Sequence, residues 1–237
     1  MTDGGGARIG AVGATLGGFL LLVGNVIHPR EEGQLDQVEA LLAVVAGSEM
    51  WAVVHTMLLL GVALLMVGYV GLTATMTETV WPRLGLGLAI VGTAMAALFM
   101  TTEAVALPPI AEVWAAASNE ARQSAVTSAV PLFHLSLALS AAAALFLFGL
   151  TPLAMGKALV SSALHPSWLG WVGIGVGILG VGANLYQILT GVTTGTALIV
   201  VPISIVAATV WVIALGVHMW RRWANPRVMV KTAATSA

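Results

Sequence analysis

This chain of 237 residues contains six stretches of about 20 mainly apolar residues each. A helix that crosses the hydrocarbon core of a bilayer needs roughly 20 such residues. Only 8% of the residues are charged, against about 25% in a soluble domain, so the apolar surplus must face lipid. The sequence therefore predicts an all-α, polytopic integral membrane protein with six transmembrane helices. The six predicted spans are 9–27, 51–74, 84–106, 129–150, 168–189 and 195–218.

The predicted spans form one membrane domain, residues 9–222, between two polar tails. Residues 1–8 and 223–237 lack an apolar period, so we expect both tails to be flexible. The first span follows Arg8, as the apolar part of a signal peptide would, but no small-residue cleavage site comes after it. We therefore expect it to remain as an uncleaved first span.

Basic residues are divided unequally between the two sides of the predicted membrane domain. Only Arg30 and Arg122 fall on one side. The seven on the other side are Arg8, Arg83, Lys157, Arg221, Arg222, Arg227 and Lys231. Because Lys and Arg concentrate in cytoplasmic loops, this distribution predicts that both termini are cytoplasmic.

Polar side chains within the spans gather toward the predicted outer face. Two of them are histidines that lie shortly after predicted amphipathic loop helices: His55 after 34–47, and His134 after 109–124. Polar groups in a membrane span usually face the interior of the bundle or water. We therefore predict an outward-opening polar pocket. Its other predicted members are His28, Glu103, Asn25, Asn184, Tyr186 and Gln187.

The residue types in this pocket permit two kinds of cofactor site. His55 and His134, on different spans, could be the axial ligands of a b-type haem. His28 and Glu103 could instead ligate a transition metal, since imidazole and carboxylate together suit such ions. The alternative is that these side chains lie at the interface with their polar tips in water. The sequence leaves all three interpretations open.

Several other chemistries are excluded by composition or context. The absence of cysteine excludes disulfides, thiolate metal sites and cysteine catalysis. A net charge of −1 gives no reason to expect a nucleic-acid partner. Gly175, Gly177 and Gly180 match the GxGxxG spacing, but they lie inside an apolar span, and no Asp or Glu follows Glu120. A dinucleotide fold needs a preceding strand and a later acidic residue, so this match indicates helix packing.

Two segments carry a resemblance to a known family. They are WAVVHTMLLLGVALLMVGYVGLTATM at 51–76 and ALFLFGLTPLAMGKALVSSALHPSWLGWVGIGVGILGVGANL at 144–185. The second joins a span through a short linker to P-x-WLGW-x-G, which opens a glycine-rich span. In these features the chain resembles the DUF4386 family of bacterial membrane proteins. The resemblance implies a six-span fold in a prokaryotic cytoplasmic membrane, and it implies no particular activity.

Three functions from different classes follow as hypotheses. The one we favour is a non-enzymatic accessory or sensing subunit, which contacts the lipid bilayer and associates with itself or with other membrane proteins. Its basis is the recurrence of glycine along the first, third and fifth spans, because small residues let membrane helices approach closely. The second is a membrane redox protein that binds haem b or a metal through His55 and His134. The third is a carrier for a small solute or proton.

Overall fold

The computed structural model describes residues 4–29, 38–76, 79–190 and 195–223, with the backbone alone at 195–198. Several sequence predictions lie outside the described residues. These are residues 1–3 of the N-terminal tail, residues 224–237 of the C-terminal tail, the start of the loop helix predicted at 34–47, and the side chains of Arg30, Arg227 and Lys231.

All regular elements of the described chain are helices. In chain order they are α1 (Gly4–Ile27), α2 (Val38–Gly47), α3 (Trp51–Thr73), α4 (Trp81–Thr101), a π-helical segment (Thr102–Ala106), α5 (Leu107–Ala116), α6 (Asn119–Ala144), a second π-helical segment (Leu145–Leu150), α7 (Thr151–Val160), α8 (Ser167–Thr190) and α9 (Gly195–Trp223).

Six helical stretches are long and apolar enough to cross a membrane, which confirms the predicted fold class. They are α1, α3, α4–α5, α6–α7, α8 and α9. The first begins at Gly4, so residues 4–8 are helical and do not belong to a tail. The last continues to Trp223, five residues beyond the predicted end at 218.

The six spans form a closed ring in which each packs against its neighbours in sequence, and α9 completes the ring by packing on α1. The Arg8 Nε donates a hydrogen bond of 2.8 Å to the Trp223 carbonyl, so the start of α1 and the end of α9 lie at one end of the bundle. We call this the terminal end, and the opposite one the far end. The ring encloses the main apolar core, which includes Leu65, Leu147 and Trp211.

Glycines allow the closest approaches between neighbouring spans. A Cβ placed on Gly17 of α1 would lie 2.7 Å from the Gly61 carbonyl oxygen of α3. A Cβ on Gly156 of α7 would lie equally close, at 2.7 Å, to the Gly170 carbonyl oxygen of α8. Both distances are shorter than van der Waals contact, so a larger residue would push the two backbones apart. Gly17 of the first span thus packs on the second span, and Gly170 of the fifth packs on the fourth.

Two of the spans extend well beyond a bilayer. The α4–α5 stretch has 36 residues and the α6–α7 stretch has 42. At about 1.5 Å per residue these are roughly 54 and 63 Å long, whereas the hydrocarbon core is about 30 Å thick. At the far end, α2, α5 and the first part of α6 pack around a second apolar core that includes Leu42, Leu107 and Phe133. We call these three helices the far-end cap.

The prediction of one separate loop helix at 109–124 is wrong. Residues 107–116 instead continue the third span as α5, and the chain turns at Ala117 and Ser118, both in extended conformation. A new helix, α6, then begins at Asn119 and runs without interruption into the fourth span. Glu120 in the first turn of α6 favours a new helix start at this point, because a negative charge stabilises a helix N-terminus.

Both π-helical segments precede prolines. Pro108 follows the first and Pro152 the second. Proline has no N–H, and its ring collides with the carbonyl four residues earlier, so it strains a regular α-helix. A wider π turn precedes Pro108 and Pro152, whereas α6 and α9 pass Pro131 and Pro202 as α-helix. In this way α4 continues into α5, and α6 continues into α7, without a break in the span.

Candidate functional site

A cavity of about 230 Å³ lies inside the ring of spans, where every span except α8 contributes to its wall. Its lining is apolar apart from Asn25, His28 and Ser140. Asn25 lies in the last turn of α1 and His28 just after it, so two of the three polar groups lie at the far end. The volume equals that of roughly eight liquid water molecules, which is enough for a small organic molecule.

His28 contacts a second histidine at the far end of the cavity. The two Nε2 atoms of His28 and His55 are 3.3 Å apart, and the ring centroids are 4.9 Å apart with an interplanar angle of 70°. His55 begins the second turn of α3 and is 1% exposed, while His28 is partly buried. Consecutive spans therefore bring these two imidazoles together at their far ends.

Backbone hydrogen bonds fix the tautomer of each ring. The His28 Nδ1 lies 2.8 Å from the Pro29 carbonyl oxygen, and the His55 Nδ1 lies 2.8 Å from the Trp51 carbonyl oxygen. A carbonyl oxygen only accepts, so each Nδ1 carries the proton and donates it. In the neutral rings each Nε2 then presents a lone pair, and the two lone pairs face the same small region of space.

Trp51 connects this histidine pair to the third span, the α4–α5 stretch. Its indole Nε1 donates a 2.8 Å hydrogen bond to the Glu103 carbonyl oxygen in the first π-helical segment. Its ring centroid lies 4.4 Å from that of His55 and 5.6 Å from that of His28. Trp51 also belongs to the apolar core of the far-end cap, so this one side chain contacts both the cap and the histidine pair.

The structure does not place His134 with His55. His134 is exposed on α6, and its ring contacts Phe133 at a centroid distance of 5.5 Å. A haem ligated by both residues would need both imidazoles to point into one internal space. Glu103 is buried, but within the described part of the chain no three His, Cys, Asp or Glu residues are grouped to hold a metal.

The remaining predicted pocket residues separate into different surroundings. Asn25 lines the cavity and donates through Nδ2 to the Leu21 carbonyl oxygen at 2.8 Å. Asn184 and Gln187 are buried on α8, which does not line the cavity, and Tyr186 is 39% exposed. The polar residues of α8 therefore do not extend this site.

A polar cluster that lies outside the site predicted from the sequence is found at the terminal end. It contains His165, which is buried in the short loop between α7 and α8. Its Nε2 lies 2.9 Å from the Thr75 Oγ1, and its ring centroid lies 5.6 Å from that of His218 and 5.5 Å from that of Trp223. This cluster joins the α3–α4 loop and the α7–α8 loop, which are the two terminal-side loops, to the end of α9.

Comparisons with family models, with curated proteins and with solved structures found no match to this chain. The resemblance to the DUF4386 family stays a prediction. Any functional proposal must therefore come from the geometry of the cavity and of the histidine pair.

Proposed function

We propose that this protein is a non-enzymatic accessory or sensing subunit of a membrane, and that it binds a small, mainly apolar molecule in the cavity within its ring. The observation that carries this proposal is the cavity lining. Ligand sites characteristically combine apolar walls with a few polar groups that orient the ligand. Here the walls come from five spans, and Asn25 and His28 supply the polar groups at one end.

The lining favours binding over catalysis. The Ser140 hydroxyl donates to the carbonyl oxygen of Leu137 at 3.0 Å, one turn earlier in its own helix. It is therefore held by its own backbone, and no base within the described part of the chain is hydrogen-bonded to it, unlike a catalytic serine. A ligand that links five spans would change how they pack, which is how occupancy of such a site would reach a partner protein. The redox and carrier functions remain predictions.

The protein's place in the cell is part of the same proposal. We place it in a prokaryotic cytoplasmic membrane, with both termini in the cytoplasm and the far-end cap outside. The support for this orientation is the excess of lysine and arginine on the terminal side. The cavity's polar end then lies toward the outer leaflet, beneath the cap.

Filling the cavity tests the proposed binding. Ala96 of α4 is 3% exposed and forms part of the cavity wall, whereas Ala94 of the same helix is exposed on the outer surface. In Ala96→Leu three additional carbon atoms enter the cavity, and in the matched control Ala94→Leu they face lipid. Each protein is purified from native membranes into lipid nanodiscs and extracted with organic solvent, and the extract is analysed by mass spectrometry.

We expect one small molecule to accompany the wild type and Ala94→Leu, and its recovery to fall at least about tenfold with Ala96→Leu, because the added side chain occupies its place. Size-exclusion chromatography of each sample establishes that the variants are folded. Identical extracts from all three folded proteins would count decisively against a ligand in this cavity.

A further inference from the structure

We propose that His28 and His55 together bind one divalent transition-metal ion through their Nε2 atoms. The site would take an ion such as Zn²⁺ or Co²⁺, for which neutral imidazole is a suitable ligand. It lies where the last turn of α1 meets the first turns of α3, at the far end of the cavity.

The first argument is the distance between the two nitrogen atoms. Zinc binds imidazole nitrogen at about 2.0–2.1 Å with tetrahedral geometry, so two such nitrogens on one ion lie about 3.3 Å apart. The His28 and His55 Nε2 atoms are 3.3 Å apart. The chain alone therefore holds the two atoms at the separation of two tetrahedral ligands.

The second argument is the orientation of the rings. A linear N–H···N hydrogen bond at this distance would hold the centroids roughly 5.6 Å apart, because the N···N distance and two ring radii would add. Two imidazoles that converge on one tetrahedral ion would have centroids about 5.1 Å apart. The observed centroid separation is 4.9 Å, so the rings meet at an angle and resemble the metal geometry more closely.

The third argument is the hydrogen bonding of the opposite ring atoms. Both Nδ1 atoms donate to backbone carbonyl oxygens, of Pro29 and Trp51. Metal-bound histidines characteristically donate their other ring N–H to a carbonyl or carboxylate, which fixes the tautomer and directs Nε2 to the ion. Both rings are therefore already in the tautomer that a metal requires.

The site supplies two protein ligands among the described residues, since no group of three occurs there. A tetrahedral ion would keep two positions for water or for a polar group of a bound molecule. His28 also lines the cavity, so these positions lie next to its polar end. The metal site does not depend on the cavity having a ligand, and it is tested without one.

Metal titration of the full-length protein tests this proposal. The protein is purified with a tag that contains no histidine, stripped with chelator, placed in nanodiscs and titrated with Co²⁺ and with Zn²⁺. Visible absorption of Co²⁺ reports its coordination geometry, and calorimetry of Zn²⁺ gives affinity and stoichiometry. The variants are His28→Ala and His55→Gln, and the matched control is His134→Ala, because His134 is an exposed histidine at the same end of the molecule.

We expect one ion per chain with the intense absorption of tetrahedral Co²⁺. Affinity should fall at least tenfold in His28→Ala and in His55→Gln and be unchanged in His134→Ala. Because His55 is buried and its replacement could impair folding, ¹⁵N-histidine NMR of the wild type supplies a second measurement, in which Zn²⁺ should shift two Nε2 resonances. The proposal is overturned if the wild type binds neither ion at 0.1 mM (about 100 times a micromolar Kd), or if His28→Ala binds as tightly as the wild type.

Discussion

His165 shows what burial does to a titratable side chain at the terminal end of the bundle. The Thr75 hydroxyl donates to the Leu72 carbonyl oxygen at 2.7 Å, so its oxygen accepts from the His165 Nε2–H. The His165 Nδ1 is buried and has no hydrogen-bond partner among the described residues. Burial, with smaller contributions from His218 and Arg222, lowers the pKa of His165 from 6.5 to about 3.

This lowered pKa predicts a loss of stability on acidification. The unfolded chain takes up a proton on His165 near pH 6.5, but the folded protein resists it until about pH 3. Above pH 6.5 the titration of His165 therefore leaves the free energy of unfolding unchanged. As the pH falls from 6.5 toward 3, only the unfolded chain binds the proton, so the free energy of unfolding decreases by up to about 1.4 kcal/mol per pH unit. His165→Gln removes the titration while keeping an amide donor for Thr75.

Reversible denaturation in detergent at roughly pH 7.5, 6 and 4.5, one value above and two below the unfolded-state pKa of 6.5, measures this effect. The wild type should lose more stability across the range than His165→Gln. Parallel curves for the two proteins would show that His165 is not held neutral by its surroundings.

The residues of the candidate site could be predicted from the sequence, but their partners could not. Polar residues are rare in apolar spans and are easily recognised there, which is why the sequence indicated His28, His55 and Glu103. Their pairing depends on how the helices are rotated and on which ones are neighbours. His55 and His134 occupy similar sequence contexts, yet one is buried and the other exposed. The ring places α1 beside α3, and this decides that His55 meets His28.

At the scale of elements, helix–helix contact depends on which face each glycine occupies. Gly175 and Gly177 lie two residues apart in α8 and so point in different directions. A Cβ on Gly177 would lie 2.5 Å from the Leu153 backbone nitrogen, whereas a Cβ on Gly175 would meet nothing within 4 Å. The two positions offer a matched comparison within one helix.

Replacement of each glycine by alanine should therefore affect the free energy of unfolding differently. Gly177→Ala forces α8 away from α7 and should lower the free energy of unfolding by about 1–3 kcal/mol. Gly175→Ala gains helix propensity without a collision and should be neutral or stabilising by up to about 1 kcal/mol. Equilibrium unfolding of the two variants in the same detergent makes the comparison. Equal destabilisation by both would contradict the close packing of α7 on α8.

The number of membrane helices followed from hydropathy, but the full extent of the helices did not. A helix long and apolar enough to cross a membrane overlaps each of the six predicted spans, and the third and fourth extend well beyond the predicted bounds. The helix predicted at 109–124 failed because apolar periodicity does not indicate whether a loop helix continues a span or stands apart from it. Pro108 and Pro152 would ordinarily suggest breaks, but the π-helical segments before them let both helices pass.

At the scale of the whole molecule, the two ends of the bundle differ in construction. At the terminal end, the Arg8–Trp223 hydrogen bond joins the start of α1 to the end of α9. The far end carries the cap, and beneath it lie the histidine pair and the polar end of the cavity. A six-span ring with both ends on one side requires that the cap and the terminal-side loops lie on opposite sides of the membrane.

Accessibility of single cysteines to a membrane-impermeant maleimide tests this central claim most directly. The chain has no cysteine, so Ser118→Cys in the cap and Ser161→Cys in the terminal-side loop each introduce one exposed thiol. In intact spheroplasts we expect Ser118→Cys to be labelled and Ser161→Cys to be labelled only after the membrane is permeabilised. Labelling of both from the same side would contradict the six-span ring, and the reverse pattern would contradict a cap and histidine pair that face outward.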